Sequence, residues 1–165
     1  MLFSNKTFLL ILLVMPFNGA QSTSPHDPWP KWIAYVEPYE VTVAKDGSGD
    51  YTTIQAAINA SKAYPSPRVI IKVKAGIYKE KVHVYSWNPK LSLIGEDKNN
   101  TIITYDDYFD KIALGRNSTF HTPTLLVEGN DFYAANLTIE NTAGPIGQAV
   151  ALALSADRVL LENCN

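Results

Sequence analysis

TFHTPTLLVEGNDFYAANLTIENTAGPIGQAVALALSADRVLLENCN, residues 119–165, contains two similar blocks. The first is LLVEGNDFYAANLTIEN (125–141) and the second is ALALSADRVLLENCN (151–165). Each reads as a short apolar strand, a polar turn and a second strand that closes near an asparagine. Aligning Asp131 with Asp157 sets the repeat at 26 residues, which suits one coil of three short strands with their turns. Between the blocks lies NTAGPIGQAVAL (141–152), a turn-rich segment. It brings one polar side chain, Gln148, to the start of an apolar run.

Upstream, VIIKVKAGIY (69–78) is apolar and β-branched, with Gly76 as a bend. KVHVY (81–85), LSLIGE (91–96) and NTIITYD (100–106) follow as further short strands, each closed by Gly, Asn, Asp or Pro. No crossover helix separates them, so a sandwich, a barrel or a solenoid is expected. Sandwich strands should alternate apolar with polar residues, whereas VIIKV, LSLIG, TLLV and VALAL read as apolar ladders facing an interior. Asn100, Asn136, Asn141 and Asn163 recur at turns, where asparagine suits left-handed bends and side-chain stacking. The pattern therefore predicts an all-β fold, a single-stranded parallel β-helix solenoid.

The domain opens with a strand, Val41-Thr42-Val43, and the turn KDGSGD. That glycine-rich turn lacks the Lys-Ser/Thr signature of a phosphate-binding loop. Beyond it, Ile54, Ala57, Ile58 and Ser61 recur at helical spacing, with Thr52 or Thr53 placed to cap. A helix this short needs an apolar surface to lie on, and the open N-terminal end of a β stack supplies one.

Residues 1–20, MLFSNKTFLLILLVMPFNGA, read as a secretory signal peptide: one lysine, an apolar run too short to span a bilayer, and a small-residue close. Residues 21–40 hold four prolines and no periodicity, which predicts an extended lead-in with Trp29 and Trp32 packing it down. A net charge of −2 gives no electrostatic case for nucleic acid. The single cysteine, Cys164, excludes an internal disulfide framework and any multi-cysteine metal site; its setting at a strand end reads as a buried structural thiol. Glycosylation triplets stand at Asn59, Asn99, Asn117 and Asn136, relevant where the source is eukaryotic.

Six segments in order, KDGSGDYTTIQAAI (45–58), GIYKE (76–80), GEDKNNTIIT (95–104), TFHTPT (119–124), LTIENTAGP (137–145) and QAVAL (148–152), resemble the pectin methylesterases (pectinesterases) over residues 41–165. The resemblance implies a right-handed parallel β-helix. It also implies hydrolysis of the galacturonate methyl esters of pectin to methanol and acidic pectin, without cofactor or metal. In that family one aspartate is the nucleophile and a second is the acid/base. An arginine orients the nucleophile, and glutamines hold the developing oxyanion. Carried over, Gln148 corresponds to an oxyanion-hole glutamine and Thr119 to a substrate-contacting threonine. Tyr78 and Glu80 match a signature read as shaping the site or the fold. Ala153 stands where many relatives carry arginine.

The family's aspartates lie in motifs resembling GYQDTLY and DFIFG, and its arginine in LGRPW. All three are expected beyond VLLENCN, past Asn165, and none occurs in residues 1–165. Asn165 itself is the boundary of that missing half and is given no catalytic role. Asp106, Asp107 and Asp110 fall in an expected loop and match no catalytic position. The expectation is thus a domain truncated at its C-terminal end: residues 41–165 carry a helix-capped, incomplete β-helix, inactive alone. The expected partner is methyl-esterified pectin, in a secreted protein that is monomeric at full length and free of membrane after signal cleavage. Two other readings stay open: a secreted non-catalytic β-helix that binds carbohydrate or mediates adhesion, and a relative with a changed ester substrate, such as a thioester.

Overall fold

Short β-branched segments separated by tight turns stack here because each strand buries one face and pairs along both edges with the coils before and after it. The computed structural model describes residues 38–165. The expected signal peptide and nearly all of the proline-rich lead-in, with Trp29 and Trp32, lie outside the described residues. Among the described residues eleven strands form three parallel sheets. One sheet runs β1 (Tyr39–Val43), β2 (Val69–Val73), β5 (Leu91–Gly95), β8 (Tyr133–Ala135), β11 (Leu160–Glu162). The second holds β3 (Gly76–Lys79), β6 (Thr101–Tyr105) and β9 (Thr138–Asn141), and the third β4 (Val82–Val84), β7 (Leu125–Val127) and β10 (Leu152–Leu154). From β2 onward the chain visits the three sheets in the same order, coil after coil. That is a parallel β-helix, as the apolar ladders predict.

The interior consists of stacked rows. Val41, Ile71, Leu93 and Ala134 align in the first sheet. Tyr78, Ile103 and Ile139 align in the second, and Val82, Leu125 and Leu152 in the third. All but Leu152 are buried. Gly95 permits the tightest approach between coils: a Cβ there would lie 2.1 Å from the Asn136 carbonyl oxygen.

The helix α1 (Ile54–Ala60) covers the N-terminal end of this stack, burying Ile54, Ala57 and Ile58. Thr53 is the cap, its hydroxyl accepting from the Ala56 N–H at 3.2 Å. Ser61, expected on the apolar face, instead closes the helix, donating to the Ile58 carbonyl at 2.7 Å.

The coil repeat differs by one from the expected spacing. Asn136 and Asn163 share left-handed φ values of 56° and 50°, and the Asn163 amide donates to Asn136 Oδ1 at 2.7 Å across 27 residues. Asp131 aligns with Arg158, both left-handed, and Arg158 donates to both Asp131 carboxylate oxygens. Matching the two aspartates had paired residues of like chemistry, whereas backbone conformation sets the register. Asn100 and Asn141 do not join this ladder: Asn100 closes a turn on Asp97, and Asn141 belongs to the candidate site.

Asn165 keeps the 27-residue offset and is more than a boundary. Its side-chain amide donates to Thr138 Oγ1 at 3.4 Å, 27 residues earlier. Its N–H donates to the Leu137 carbonyl at 3.2 Å and its carbonyl accepts from the Ile139 N–H at 3.0 Å. It is exposed, and its backbone extends the second sheet's pairing past β9.

A further correction concerns Asp110, expected in a loop with Asp106 and Asp107; those two do lie outside helix and strand, and the helices follow within residues 106–124. Asp110 sits in a one-turn helix, α2 (Phe109–Ile112), and a 3-10 helix, Gly115–His121, comes after it.

Candidate functional site

Two excursions from the stack meet beside the third sheet: residues 106–124 between β6 and β7, and residues 142–151 between β9 and β10. The threonines of TFHTPT divide the work. The Thr122 hydroxyl donates to the Thr119 carbonyl at 2.9 Å, and the Thr124 hydroxyl to the Glu140 carbonyl at 2.9 Å. Ser118 is buried, its oxygen accepting from the Leu114 N–H while its hydroxyl donates to the Gly115 carbonyl. These local bonds wind the chain into the 3-10 helix and leave Thr119 as the hydroxyl turned outward.

That hydroxyl donates to Gln148 Oε1 at 2.8 Å. The bond fixes the amide: with Oε1 on Thr119, the Gln148 Nε2 faces away carrying two N–H donors. Gln148 is exposed, and its NH2 has no partner among the described residues.

The backbone beneath is tied down. The Phe109 N–H donates to the Gln148 carbonyl at 2.9 Å, and a Cβ on Gly147 would press 3.1 Å from the Tyr108 ring. Asn141 acts as the knot. Its amide donates to the carbonyls of Asp107 (2.8 Å), Val150 (3.2 Å) and Thr122 (3.4 Å), while its Oδ1 accepts from the Ala143 N–H at 3.0 Å. Both excursions thus hang from one side chain, which the sequence suggested only as a turn former.

Next to the knot lies a buried carboxylate. Asp107 Oδ2 takes Lys81 Nζ at 2.8 Å and Oδ1 takes Lys111 Nζ at 3.0 Å. Lys81 also donates to the His121 carbonyl, and Lys111 bridges to Asp106 at 3.2 Å. Both ammonium groups approach the Tyr105 ring face, at 5.9 and 5.3 Å from its centroid. Burial pushes the Asp107 carboxyl up, but the hydrogen bonds and charges of Lys81 and Lys111 outweigh it and hold the carboxyl below its ordinary value. A carboxylate so clamped is a poor nucleophile; Asp107 braces the site.

Tyr78, Glu80 and Asn165 sit elsewhere. Tyr78 is buried, its hydroxyl donating to the Lys74 carbonyl at 2.9 Å. Glu80 accepts the free N–H groups of Ile54 (2.9 Å) and Gln55 (3.0 Å) at the start of α1. Both shape the fold. Asn165 bonds to Leu137, Thr138 and Ile139 rather than to either excursion, so its part is coil pairing and not the site.

A pectinesterase family model matches residues 40–165. The chain belongs to the pectinesterase family. It is 46% identical over 123 residues to probable pectinesterase/pectinesterase inhibitor 23 of Arabidopsis thaliana, covering 74% of this chain and 21% of that protein. With pectinesterase 3 of Citrus sinensis it shares 36% identity over 156 residues, covering 88% of this chain and 26% of the relative. Among solved structures, a pectin methylesterase from carrot superposes with a TM-score of 0.71 at 33% identity, over 79% of this chain and 40% of that one. The enzyme from Erwinia chrysanthemi superposes with a TM-score of 0.69 at 26% identity, over 76% of this chain and 42% of that one. The chain thus spans about a fifth to a third of the curated pectinesterases it matches, which are ester hydrolases by name. Among the described residues no helix is long and apolar enough to cross a membrane.

Proposed function

We propose that residues 41–165 form the opening coils of a secreted pectin methylesterase and supply the oxyanion-binding half of its site. The carrying observation is the Thr119–Gln148 bond, which aims an unbonded amide NH2 outward from a braced loop. A tetrahedral intermediate at a methyl-ester carbonyl places negative charge on one oxygen. A neutral amide donor held before the charge develops stabilises it without reorganisation. The same geometry suits galacturonate esters, whose C6 carbonyl projects from the sugar ring. Thr119 holds the amide in orientation by donating to it; its oxygen lone pairs remain for a substrate hydroxyl.

The carboxylates nearest the site, Asp106 and Asp107, are engaged by Lys81 and Lys111. The resemblance to the family assigns nucleophile, acid/base and orienting arginine to motifs resembling GYQDTLY, DFIFG and LGRPW, none of which occurs in residues 1–165. The test is methanol release from highly methylated pectin, by the 165-residue chain and by the full gene product. The full product should turn over and the 165-residue chain should not. Turnover by the short chain would refute the division of the site. Pectin binding without turnover by the full product would favour a non-catalytic binding module.

A further inference from the structure

At the capped end of the β-helix, away from Gln148, one depression is lined by Asn59 and Ser61 of the α1 terminus and by Tyr85, Trp87 and Asn88 of the turn after β4. The Tyr85 and Trp87 rings lie parallel, 5° apart in plane with centroids 4.5 Å apart. Trp87 is nonetheless 45% exposed. A flat indole braced on one face and open on the other suits the C–H face of a pyranose.

Asn59 begins the triplet Asn59-Ala60-Ser61 and is exposed. A chain of hydrogen bonds settles its orientation. The His83 N–H donates to Gln55 Oε1 at 2.6 Å, which leaves the Gln55 NH2 to donate to Asn59 Oδ1 at 2.8 Å. Asn59 Nδ2 is then the free end, with no partner among the described residues. The opposite wall is settled likewise. The Ser61 hydroxyl is used on the Ile58 carbonyl, so its lone pair accepts Asn88 Nδ2 at 3.0 Å. Asn88, 3% exposed, keeps Oδ1 without a partner. Of the four triplets beyond the expected signal peptide, Asn59 is the one whose side chain lines this depression with its aromatic rings. Asn136, by contrast, is half-buried within the coil stack, where its Oδ1 accepts from Asn163.

We propose that Asn59 is an N-glycan attachment site and that the first N-acetylglucosamine packs on Trp87. This rests on the secretory reading of the chain and is independent of the esterase chemistry. The sugar arrives from a polyprenyl-diphosphate-linked oligosaccharide. The Asn59 Nδ2–C1 bond forms, the C1–O bond to phosphate breaks, the diphosphate leaves with the electron pair and Nδ2 gives up one proton. The linked ring covers the open indole face, and its hydroxyl and acetamide donors lie beside the Asn88 wall.

The full gene product, secreted from a eukaryotic host, is digested with peptide N-glycosidase in heavy-oxygen water, and the Asn59 peptide is read by mass spectrometry. Labelled aspartate at position 59 is expected; an unmodified Asn59 overturns the proposal. A thermal-melt cycle with Asn59→Gln, Trp87→Ala and the double variant tests the packing. The two shifts should be less than additive, because either change removes the same contact. A glycan at Asn59 with additive shifts overturns the Trp87 contact. So does the same non-additivity in protein already stripped of glycan.

Discussion

In the proposed site Gln148 would act on substrate, and Thr119, which donates to its Oε1, would aim it. Replacing Gln148 with alanine in the full gene product removes an amide donor from the developing oxyanion, with an expected loss of about 10²–10³ in kcat. Thr119→Val keeps the shape but frees the amide to rotate; kcat should fall by a smaller factor, with KM rising if the threonine also touches substrate. Equal rates for Gln148→Ala and wild type would remove the oxyanion role. Asp107 makes a different prediction, one of stability. Its folded carboxyl titrates below the ordinary 3.8. Its stabilising contribution is therefore complete above that value and disappears as pH falls through the lower folded value. Asp107→Asn should melt below wild type at pH 6, and the gap between the two should close as pH drops below about 4. A gap that stays constant into acid would mean the carboxylate's charge is not what clamps the 106–124 excursion to Lys81. Thr119 and Gln148 were each given a role in the sequence only through family resemblance, and their pairing was not visible there. They lie 29 residues apart on separate excursions, and neither hydrophobic period nor turn chemistry links them.

Local and long-range terms separate cleanly in α1. Its apolar spacing and its Thr53 cap were legible because both lie within one turn of the helix. Its second cap was not: Glu80 comes from 26 residues downstream and satisfies two N–H groups at once. Glu80→Ala should lower stability by about 1–2 kcal/mol, seen as a fall of several degrees in melting temperature. Glu80→Gln, which keeps one acceptor oxygen, should recover part of it. No shift in the alanine variant would mean that solvent replaces the carboxylate without loss. The strands tell the same story from the other side. Their apolar runs announced a solenoid, because every coil buries the same face. The one-residue slip in the repeat arose because the aligned positions are set by left-handed backbone at Asp131, Asn136, Arg158 and Asn163, and arginine is not a residue whose presence signals that conformation. The lesson for such chains is to align asparagines first, since Asn136 over Asn163 gives the correct offset directly. Asn165 over Thr138 repeats that offset, with no shared residue type to reveal it.

At the scale of the whole molecule, the β-helix is a sum of coil-to-coil interfaces, and a coil is stable only when both faces are covered. The N-terminal end meets this condition through α1. At the other end, β10 and β11 each pair on one edge alone among the described residues. Their side chains show the consequence: Leu154, Leu160 and Leu161 are 46%, 41% and 38% exposed, against 0% for Val84, Leu93 and Leu125 in earlier coils. Unpaired strand edges flanked by exposed leucine are a template for pairing with another chain. The 165-residue chain expressed alone should therefore associate in a concentration-dependent way and expose apolar surface to a hydrophobic dye, whereas the full gene product should elute as a monomer. Charge placed on the exposed rung, as in Leu154→Lys with Leu161→Lys, should reduce the association while leaving the α1 end and the Thr119–Gln148 pair unaltered. Light scattering against concentration decides it. A monodisperse, reversibly melting 165-residue monomer would show that the interfaces of the earlier coils hold the stack together without cover on the last rung.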